Sequence, residues 1–187
     1  MAMIRSLRPN VTRDEAIRQF SPGGLGDAIK CLAFGELRSI GDFYIPFQIF
    51  QVEITNAGTR DEKVLGLDRV SGSLDLYDFE TMPSETEMVR VETRNFAESG
   101  LEISAANKKV IEKVQRVLFS RGFFRMRNLQ IVAKAVDGDF YIPYWVGFRG
   151  RESMARITVI DAIRRKVEGA KVRHLLQNWL QSRENLA

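Results

Sequence analysis

Apolar residues recur along the chain with helical spacing in three places, which predicts three helices. Thr12 and Glu15 have capping-box spacing, a hydroxyl at the N-cap and a carboxylate three residues later, and they predict a helix over Arg13–Phe20. A second apolar stripe follows Asn107, which is the predicted N-cap of the second helix. The third helix is predicted over Gly169–Ser182, where apolar residues fall three and four positions apart.

Alternation of side chains predicts the strands. The clearest strand is Asp42–Thr55, where both faces hold aromatic residues, so both faces are expected to be partly covered. Glu80–Glu87 is acidic and contains a proline, which predicts an exposed loop. The other predicted strands are Cys31–Arg38, Lys63–Asp68, Ser73–Phe79, Met88–Thr93, Leu129–Val136, Asp139–Arg149 and Ala155–Asp161.

The hexapeptide Gly-Asp-Phe-Tyr-Ile-Pro occurs at Gly41–Pro46 and again at Gly138–Pro143, which indicates an internal duplication. Each occurrence is followed by an apolar strand that ends in an aspartate, Asp68 in the first repeat and Asp161 in the second. The spacing between the repeats is 97 residues at the hexapeptide and 93 at the aspartates, so the first repeat has four extra residues. We assign them to a predicted exposed hairpin loop, Asn56–Lys63.

These patterns predict an α+β fold of two tandem repeats related by a pseudo-two-fold axis. Each repeat is a helix followed by a mostly antiparallel meander, and a C-terminal helix is added to the second. The predicted division is 1–95 for the first repeat and 96–187 for the second. Each is close to the lower size limit for an independent core. Packing the two together would bury more apolar surface, so one globular body of two similar lobes is favoured over two separate domains.

Charge is distributed unevenly between the halves. Residues 1–106 carry 11 Lys+Arg and 17 Asp+Glu, whereas residues 107–187 carry 17 and 7. A basic half either attracts the acidic half, within the chain or across a dimer, or binds nucleic acid or another anionic surface. The first interpretation is favoured, because base-reading motifs are absent from the sequence.

The sequence indicates a cytoplasmic protein. Met1–Arg13 has no apolar stretch after its basic residues, so no signal peptide is recognised, and no run of about 18 apolar residues predicts a membrane span. Cys31 is the single cysteine, which excludes an intrachain disulfide and fits a reducing compartment.

Candidate chemistry is concentrated in and next to the repeated hexapeptide. Asp42, Asp139, Tyr44, Tyr141 and Trp145 are candidate ligand-binding residues. The two aspartates would form an acid/base pair if symmetry brought them together. An aspartate after glycine at a strand start is, however, more typical of a turn. No catalytic or metal-ligating set is recognised, and no cofactor is predicted.

Arginines and aromatic residues are interleaved in the segment 121–125, as they are in RNA-binding strands. Arg121, Arg125 and Arg127 are therefore candidate anion-binding residues. The segment departs from the RNA-recognition consensus after three residues, and no second aromatic motif pairs with it. A strand or turn with buried phenylalanines is favoured over an RNA site.

Part of the first repeat resembles the PepSY-type α+β modules. The matching segments are Val11–Ile17 at the helix start, the aromatic strand Tyr44–Ile54, and Leu67–Leu74 with its Asp-x-x-Ser-Gly turn. The second repeat lacks the helix-start motif and has arginines where the first has Ser-Gly. The resemblance implies a module that acts in binding or inhibition, and such modules are usually exported.

We therefore predict a non-enzymatic ligand- or protein-binding module, which forms a homodimer or binds another protein. The prediction depends on the aromatic strands, the duplicated framework and the lack of reactive constellations. One alternative is nucleic-acid or anion binding through the basic second repeat. The other is a small enzyme with a site between the lobes, built on Asp42, Asp139, Tyr44 or Tyr141.

Overall fold

The structure is a computed structural model of the 187-residue chain. It describes residues 1–21, 23–24, 28, 31–32, 35–120, 122, 127–150 and 156–184. Within these residues the chain has the predicted α+β fold, in which helices accompany one large mixed sheet.

The described elements follow one another with these bounds. The helices are α1 Arg13–Phe20, α2 Ile103–Ser120 and α3 Ala170–Glu184, and a short 3-10 helix is Glu85–Glu87. The strands are β1 Ala2–Leu7, β2 Leu37–Asn56, β3 Thr59–Asp68, β4 Tyr77–Phe79, β5 Met88–Thr93, β6 Gln130–Ala135, β7 Phe140–Arg149, β8 Arg156–Asp161 and β9 Lys166–Val167. In the sheet β4, β3, β2, β7, β1 and β5 are successive neighbours, while β6 pairs with β2, and β8 pairs with β7 and β9.

The chain divides into two compact units, and neither is a continuous stretch of sequence. The first unit is Met1–Tyr44, Val89–Ala97 and Ile142–Ala187, and the second unit is Ile45–Met88 and Glu98–Tyr141. Both units therefore take residues from 1–95 and from 96–187. The chain passes from one unit to the other at the Tyr-Ile peptide bond of the hexapeptide in both repeats.

In the first unit, α1 begins with the predicted capping box. Thr12 Oγ1 accepts the N–H of Glu15 at 3.3 Å, and Glu15 Oε2 accepts the N–H of Thr12 at 2.8 Å. The apolar side of α1 then packs against β8 and its neighbours. The buried cluster is Val11, Ala16, Phe20, Ile160 and Ala162, with Leu37, Ile40 and Trp145 packed against it.

In the second unit, α2 covers one face of the sheet formed by β2, β3 and β6. Ala106, Val110 and Val114 recur every four residues, so they share one side of the helix and are buried together. The strand residues of this cluster are Phe50, Val52, Ile54, Leu65 and Leu67, with Ile131, Ala133 and Ala135 partly buried beside them.

The two strand pairs that follow the hexapeptides have equivalent registers. Phe47 lies opposite Asp68 in the β2–β3 pair, and Tyr144 lies opposite Asp161 in the β7–β8 pair. Both pairs are antiparallel, and these positions differ by the 97 and 93 residues that separate the repeats in sequence.

Both strand-ending aspartates organise the turn that follows. Asp68 Oδ1 accepts the N–H groups of Ser71 and Gly72 at 2.9 Å, and its Oδ2 accepts the N–H of Leu74 at 2.8 Å. Asp161 Oδ1 accepts the N–H groups of the second and third residues after it, at 2.8 and 2.9 Å. These buried carboxylates therefore serve the backbone turns.

Two predictions are wrong at positions that are helical. The first is the predicted strand Cys31–Arg38: Cys31 and Leu32 are helical and β2 begins only at Leu37. A short apolar run does not distinguish helix from strand. Residues 33–34 lie outside the described part. Asn107 is inside α2 rather than at its N-cap, and its Nδ2 donates to the Ala133 carbonyl of β6 at 2.7 Å.

Predictions about strands need correction as well. The predicted loop Asn56–Lys63 is reduced to a turn at Ala57–Gly58, because the β2–β3 ladder continues to its last possible pair, Asn56 opposite Thr59. Of the predicted strand Ser73–Phe79, only the last three residues form β4. Strands β1 and β9 were not predicted.

Candidate functional site

The sheet of the second unit has a face that α2 does not cover. Because successive side chains of a strand point to opposite faces, Gln51 and Glu53 point away from Phe50 and Val52, which pack against α2. We call this second side the open face. It consists of Gln51, Glu53, Arg60, Glu62, Val64, Phe79, Val132 and Lys134.

The register of the strands orders these residues into rows. Gln51 of β2 lies opposite Lys134 of β6 and Val64 of β3, and Val64 lies opposite Phe79 of β4. Residues directly opposite each other in an antiparallel pair share a face, so these four side chains form one row across four strands. The next row is Val132, Glu53 and Glu62.

A groove of about 520 Å³ crosses the open face. Val132 is 61% exposed in it, and Val64 and Phe79 are half-buried. Asp78 and Glu80 line its β4 side. Exposed apolar side chains among charged ones on a sheet face are typical of an interaction surface.

The groove also contains a small ion-pair network close to the turn between β2 and β3. Arg60 Nη2 lies 2.7 Å from Glu53 Oε2 and 2.9 Å from Glu62 Oε1. These side chains are exposed, so each pair contributes at most about 1 kcal/mol to stability. Their effect is to hold one guanidinium group between two carboxylates on the open face.

Charged side chains make up most of the groove lining. The groove is lined by carboxylates, cations, valines, a glutamine and a phenylalanine, and its described lining includes no histidine, cysteine, serine or tyrosine.

Asp42 and Tyr44, two of the sequence-predicted residues, lie in the first unit. Burial raises the pKa of the Tyr44 hydroxyl far above its usual range, and the charge of Asp42 and a hydrogen bond with it act in the same direction. The Tyr44 N–H donates to the Asn95 carbonyl and the Tyr44 carbonyl accepts the Ala97 N–H, both at 2.9 Å. Asp42 also accepts a hydrogen bond from the Asn95 side chain at 3.4 Å.

Asp139 and Tyr141, the corresponding pair of the second repeat, lie in the second unit. Asp139 Oδ1 is 3.0 Å from Arg69 Nη1, and its Oδ2 accepts the Ser99 hydroxyl at 3.2 Å. Burial raises the pKa of Tyr141, and the charges of Asp139 and Glu98 raise it further. Each aspartate is therefore engaged within its own unit, and neither lines the groove of the open face.

The Trp145 side chain and the Arg127 main chain form hydrogen bonds with distant segments of the chain. The Trp145 indole N–H donates to the Val11 carbonyl at 2.8 Å, and the ring packs against the α1 cluster. The Arg127 N–H donates to Asn56 Oδ1 at 2.9 Å, and its carbonyl accepts the Ala57 N–H at 2.7 Å. Arg121 and Arg125 lie outside the described residues.

A second groove, of about 440 Å³, lies beside α1 in the first unit. Hydrogen bonds from Thr12 lower the pKa of the Glu15 carboxyl, and the charges of Arg165 and Arg18 lower it further. The carboxylate is thus already committed to the capping box, which weakens the groove as a binding site. Its lining is Val11, Glu15, Arg18, Gln19 and Arg165.

Sequence reasoning missed the open face. The only signal for it was the alternation of Gln51, Glu53 and Thr55 with the apolar residues between them. Arg60 and Glu62 belong to the predicted loop Asn56–Lys63, so they were not expected on a strand. The exposure of Val132 depends on which face of the strands α2 covers, and the sequence pattern does not show this.

Among the residues that the structure describes, no three His, Cys, Asp or Glu side chains come close enough together to hold a metal ion. None of the helices described is both long and apolar enough to cross a membrane. Comparison of the chain with protein-family models, curated proteins and solved structures finds no match.

Proposed function

We propose that the protein is a non-enzymatic protein-binding module and that the open face of the second unit is its contact surface. The observation that carries the proposal is Val132, which is 61% exposed in a groove across a sheet face, where Val64 and Phe79 are half-buried. Apolar surface of this kind gains stability when a partner covers it, because water is released.

The composition of the groove favours a protein over a small molecule. Sites for small molecules are concave and mostly apolar, with few polar groups. Of the 12 residues that line this groove, seven are charged, namely Glu53, Arg60, Glu62, Lys63, Asp78, Glu80 and Lys134. A non-obligate protein–protein interface, in contrast, is only about as apolar as the rest of a protein surface.

Site-specific photocrosslinking tests the proposal. A photoreactive amino acid at Gln51, which is exposed on the open face, should give an adduct of discrete mass in cells that produce the protein. The same amino acid at Gln115, exposed on α2, is the matched control and should not give this adduct. Val132→Glu should abolish the Gln51 adduct, since it replaces the exposed apolar side chain of this face by a charge. Identical patterns from both positions would contradict the proposal.

We also propose that the chain arose by tandem duplication and that its repeats are related by a pseudo-two-fold axis. Three observations support this: the equivalent registers of the strand pairs, the two aspartate-organised turns, and the shared peptide bond at which the chain changes unit. In addition, the Pro46 carbonyl accepts the Arg69 N–H, and the Pro143 carbonyl accepts the Ala162 N–H.

The remaining hypotheses stay predictions. The PepSY-like segment agrees with a binding role, and a cytoplasmic location is untested. Nucleic-acid binding depends on Arg121, Arg125 and Arg127, and a gel shift at low salt would test it. The enzyme hypothesis loses support because Asp42 and Asp139 already have partners within their own units.

A further inference from the structure

In the first unit, both faces of the β7–β8 strand pair are covered. The side that carries Trp145 and Ile160 packs against α1. Val146 and Val159, which lie opposite each other in this pair, alternate with those two residues and therefore point to the other side. Both valines are buried, so an element other than α1 covers them.

The element that covers this second side is α3. The helix contacts β8, and its Val172, Leu175 and Leu176 are buried. Its Trp179 ring meets Phe43 edge-on, with the ring centroids 4.7 Å apart. The first unit thus has a helix on each side of its strands, an arrangement that buries both faces of a sheet.

The side that α3 covers in the first unit corresponds to the open face of the second. With the spacings of 97 and 93 residues, Val146 corresponds to Ile49 and Val159 to Gly66. Ile49 and Gly66 also lie opposite each other, in the β2–β3 pair. Ile49 is two positions from Gln51 on the same strand, so it points to the same side as the open face.

The first repeat has no helix that corresponds to α3. With the 93-residue spacing, α3 corresponds to residues 77–91, which form β4, a 3-10 helix and the start of β5. Tyr77 and Phe79 cover only the position of Gly66, where an added Cβ would lie 3.2 Å from the first side chain and 3.0 Å from the second. Closer to the β2–β3 turn the face is uncovered, and Val132 is 61% exposed there.

We propose that the occupant of the open face is an amphipathic helix of a partner protein, which covers this face as α3 covers its equivalent in the first unit. The proposal rests on the proposed function of this face. The sequence of α3 shows the pattern that such a helix needs, because its apolar residues at 172, 175, 176 and 179 lie three and four positions apart. An amphipathic helix that lays an apolar stripe into a groove is a common mode of peptide recognition.

The width and the charge of the open face suit such a helix. Val132 on β6 and Val64 on β3 are separated by β2, hence by about 10 Å across the strands. A helix with its side chains is about 10–12 Å wide, so one apolar stripe reaches both valines. Lys134 is exposed on this face, and its side chain has no hydrogen bond or ion pair with the residues that the structure describes. The helix therefore has a carboxylate at the border of its stripe, which pairs with this lysine.

Mapping of the crosslinked residues tests the proposal. The photoreactive amino acid is placed at Gln51 and, in a second variant, at Glu62, two exposed positions of the open face. Peptide mass spectrometry of each adduct should find crosslinked residues three or four positions apart within one segment of the partner. Crosslinked residues two positions apart would show an extended strand, and peptides of this chain would show a second copy. Either result would overturn the proposal and leave the proposed function standing, whereas the absence of any adduct would remove both.

A synthetic peptide of the crosslinked segment gives a second measurement. A short peptide is mostly unfolded in water, so its circular dichroism should become helical when the protein is added. Val132→Glu and Lys134→Glu should each weaken its binding at least about fivefold in fluorescence anisotropy, because the first removes the apolar contact and the second reverses the charge that the carboxylate needs. Lys108→Glu reverses an exposed charge on α2 and is the matched control, which should bind as the wild type does. Circular dichroism melting should show that all variants fold. A peptide that binds without becoming helical, or that binds every variant equally well, would overturn the proposal.

Discussion

Arg69 links three segments of the second unit through one guanidinium group. Its Nε donates to the Leu101 carbonyl at 2.6 Å, and its Nη1 lies 3.3 Å from Gln48 Oε1 and 3.0 Å from Asp139 Oδ1. The Arg69 side chain is only 11% exposed, so its hydrogen bonds compete little with water. The role of Asp139 is therefore that of a partner to a nearly buried cation.

The buried hydroxyl of Tyr44 predicts a pH dependence of stability. The pKa of this group is raised in the folded chain, so between about pH 10 and the folded pKa only the unfolded chain loses the proton. The stabilisation that the protonated Tyr44 hydroxyl contributes is complete below pH 10 and is lost as the pH rises further. The free energy of unfolding of the wild type should therefore fall more steeply above pH 10 than that of Tyr44→Phe, by up to about 1.4 kcal/mol per pH unit.

Urea denaturation at several pH values between 8 and 11 measures this difference. The two curves should be parallel below about pH 9, because the hydroxyl is then protonated in both states. Curves that stay parallel up to pH 11 would show that Tyr44 titrates normally in the folded chain.

At the scale of elements, the β2–β3 hairpin depends on a two-residue turn. Ala57 has φ +51° and Gly58 has φ +83°, so both central residues are left-handed, as in a type I′ turn. This turn matches the twist of the strands and fixes the register that aligns Gln51 with Val64 on the open face. Ala57 occupies a position that favours asparagine or glycine.

Substitutions in this turn should change stability in opposite directions. An added Cβ at Gly58 would meet no atom within 4 Å, so Gly58→Ala changes only the backbone preference. It should lower the free energy of unfolding by about 1–2 kcal/mol. Ala57→Asn should raise it by about 0.5 kcal/mol, because asparagine tolerates the left-handed region better. Urea denaturation measures both, and a neutral Gly58→Ala would contradict this account of the turn.

Strand β6 shows how an edge is protected. The Val136 N–H donates to the Ile49 carbonyl, so alternate residues of β6 direct their main-chain groups towards β2 and the others, including Ala133, away from it. The Asn107 side chain binds the Ala133 carbonyl on that outward side. This contact occupies one outward main-chain group of β6, so strand addition at this edge would have to break it.

At the scale of the whole molecule, the two sequence repeats exchange elements. The apolar face of β2 and β3, from the first repeat, is covered by α2 from the second, and Ile160 of β8 packs against α1 of the first. The division into repeats 1–95 and 96–187 stays a prediction. Either segment alone would expose a large apolar face, because the helix that covers its strands comes from the other segment.

Two fragments test the exchange. Residues 1–95 and 96–187, produced separately, should each lack a cooperative thermal transition, because each misses the helix that covers its strands. Mixed in equal amounts, they should regain the far-ultraviolet circular dichroism and the cooperative transition of the intact chain, which is the control. Cooperative melting of either fragment alone would show that a repeat folds independently.

Local signals in the sequence predicted much of the fold and little of the site. The capping box of Thr12 and Glu15 and the alternation in Asp42–Thr55 depend on neighbouring residues, and both predictions are confirmed. The extent of the β2–β3 ladder was underestimated, because the left-handed conformation of Ala57 is not a preference of alanine. The prediction that Asn107 is the N-cap of α2 is wrong, because its side chain binds Ala133, which is 26 residues away in sequence.

By itself the sequence determined the α+β class and most helices and strands, since these follow from periodicity, caps and turns over a few residues. Only the tertiary structure decided which repeat covers which strands, and therefore which face of a sheet stays open. Val132 is an ordinary strand valine in the sequence. It becomes a candidate contact residue because α2 covers the opposite side of β6, and coverage is a property of packing between distant segments.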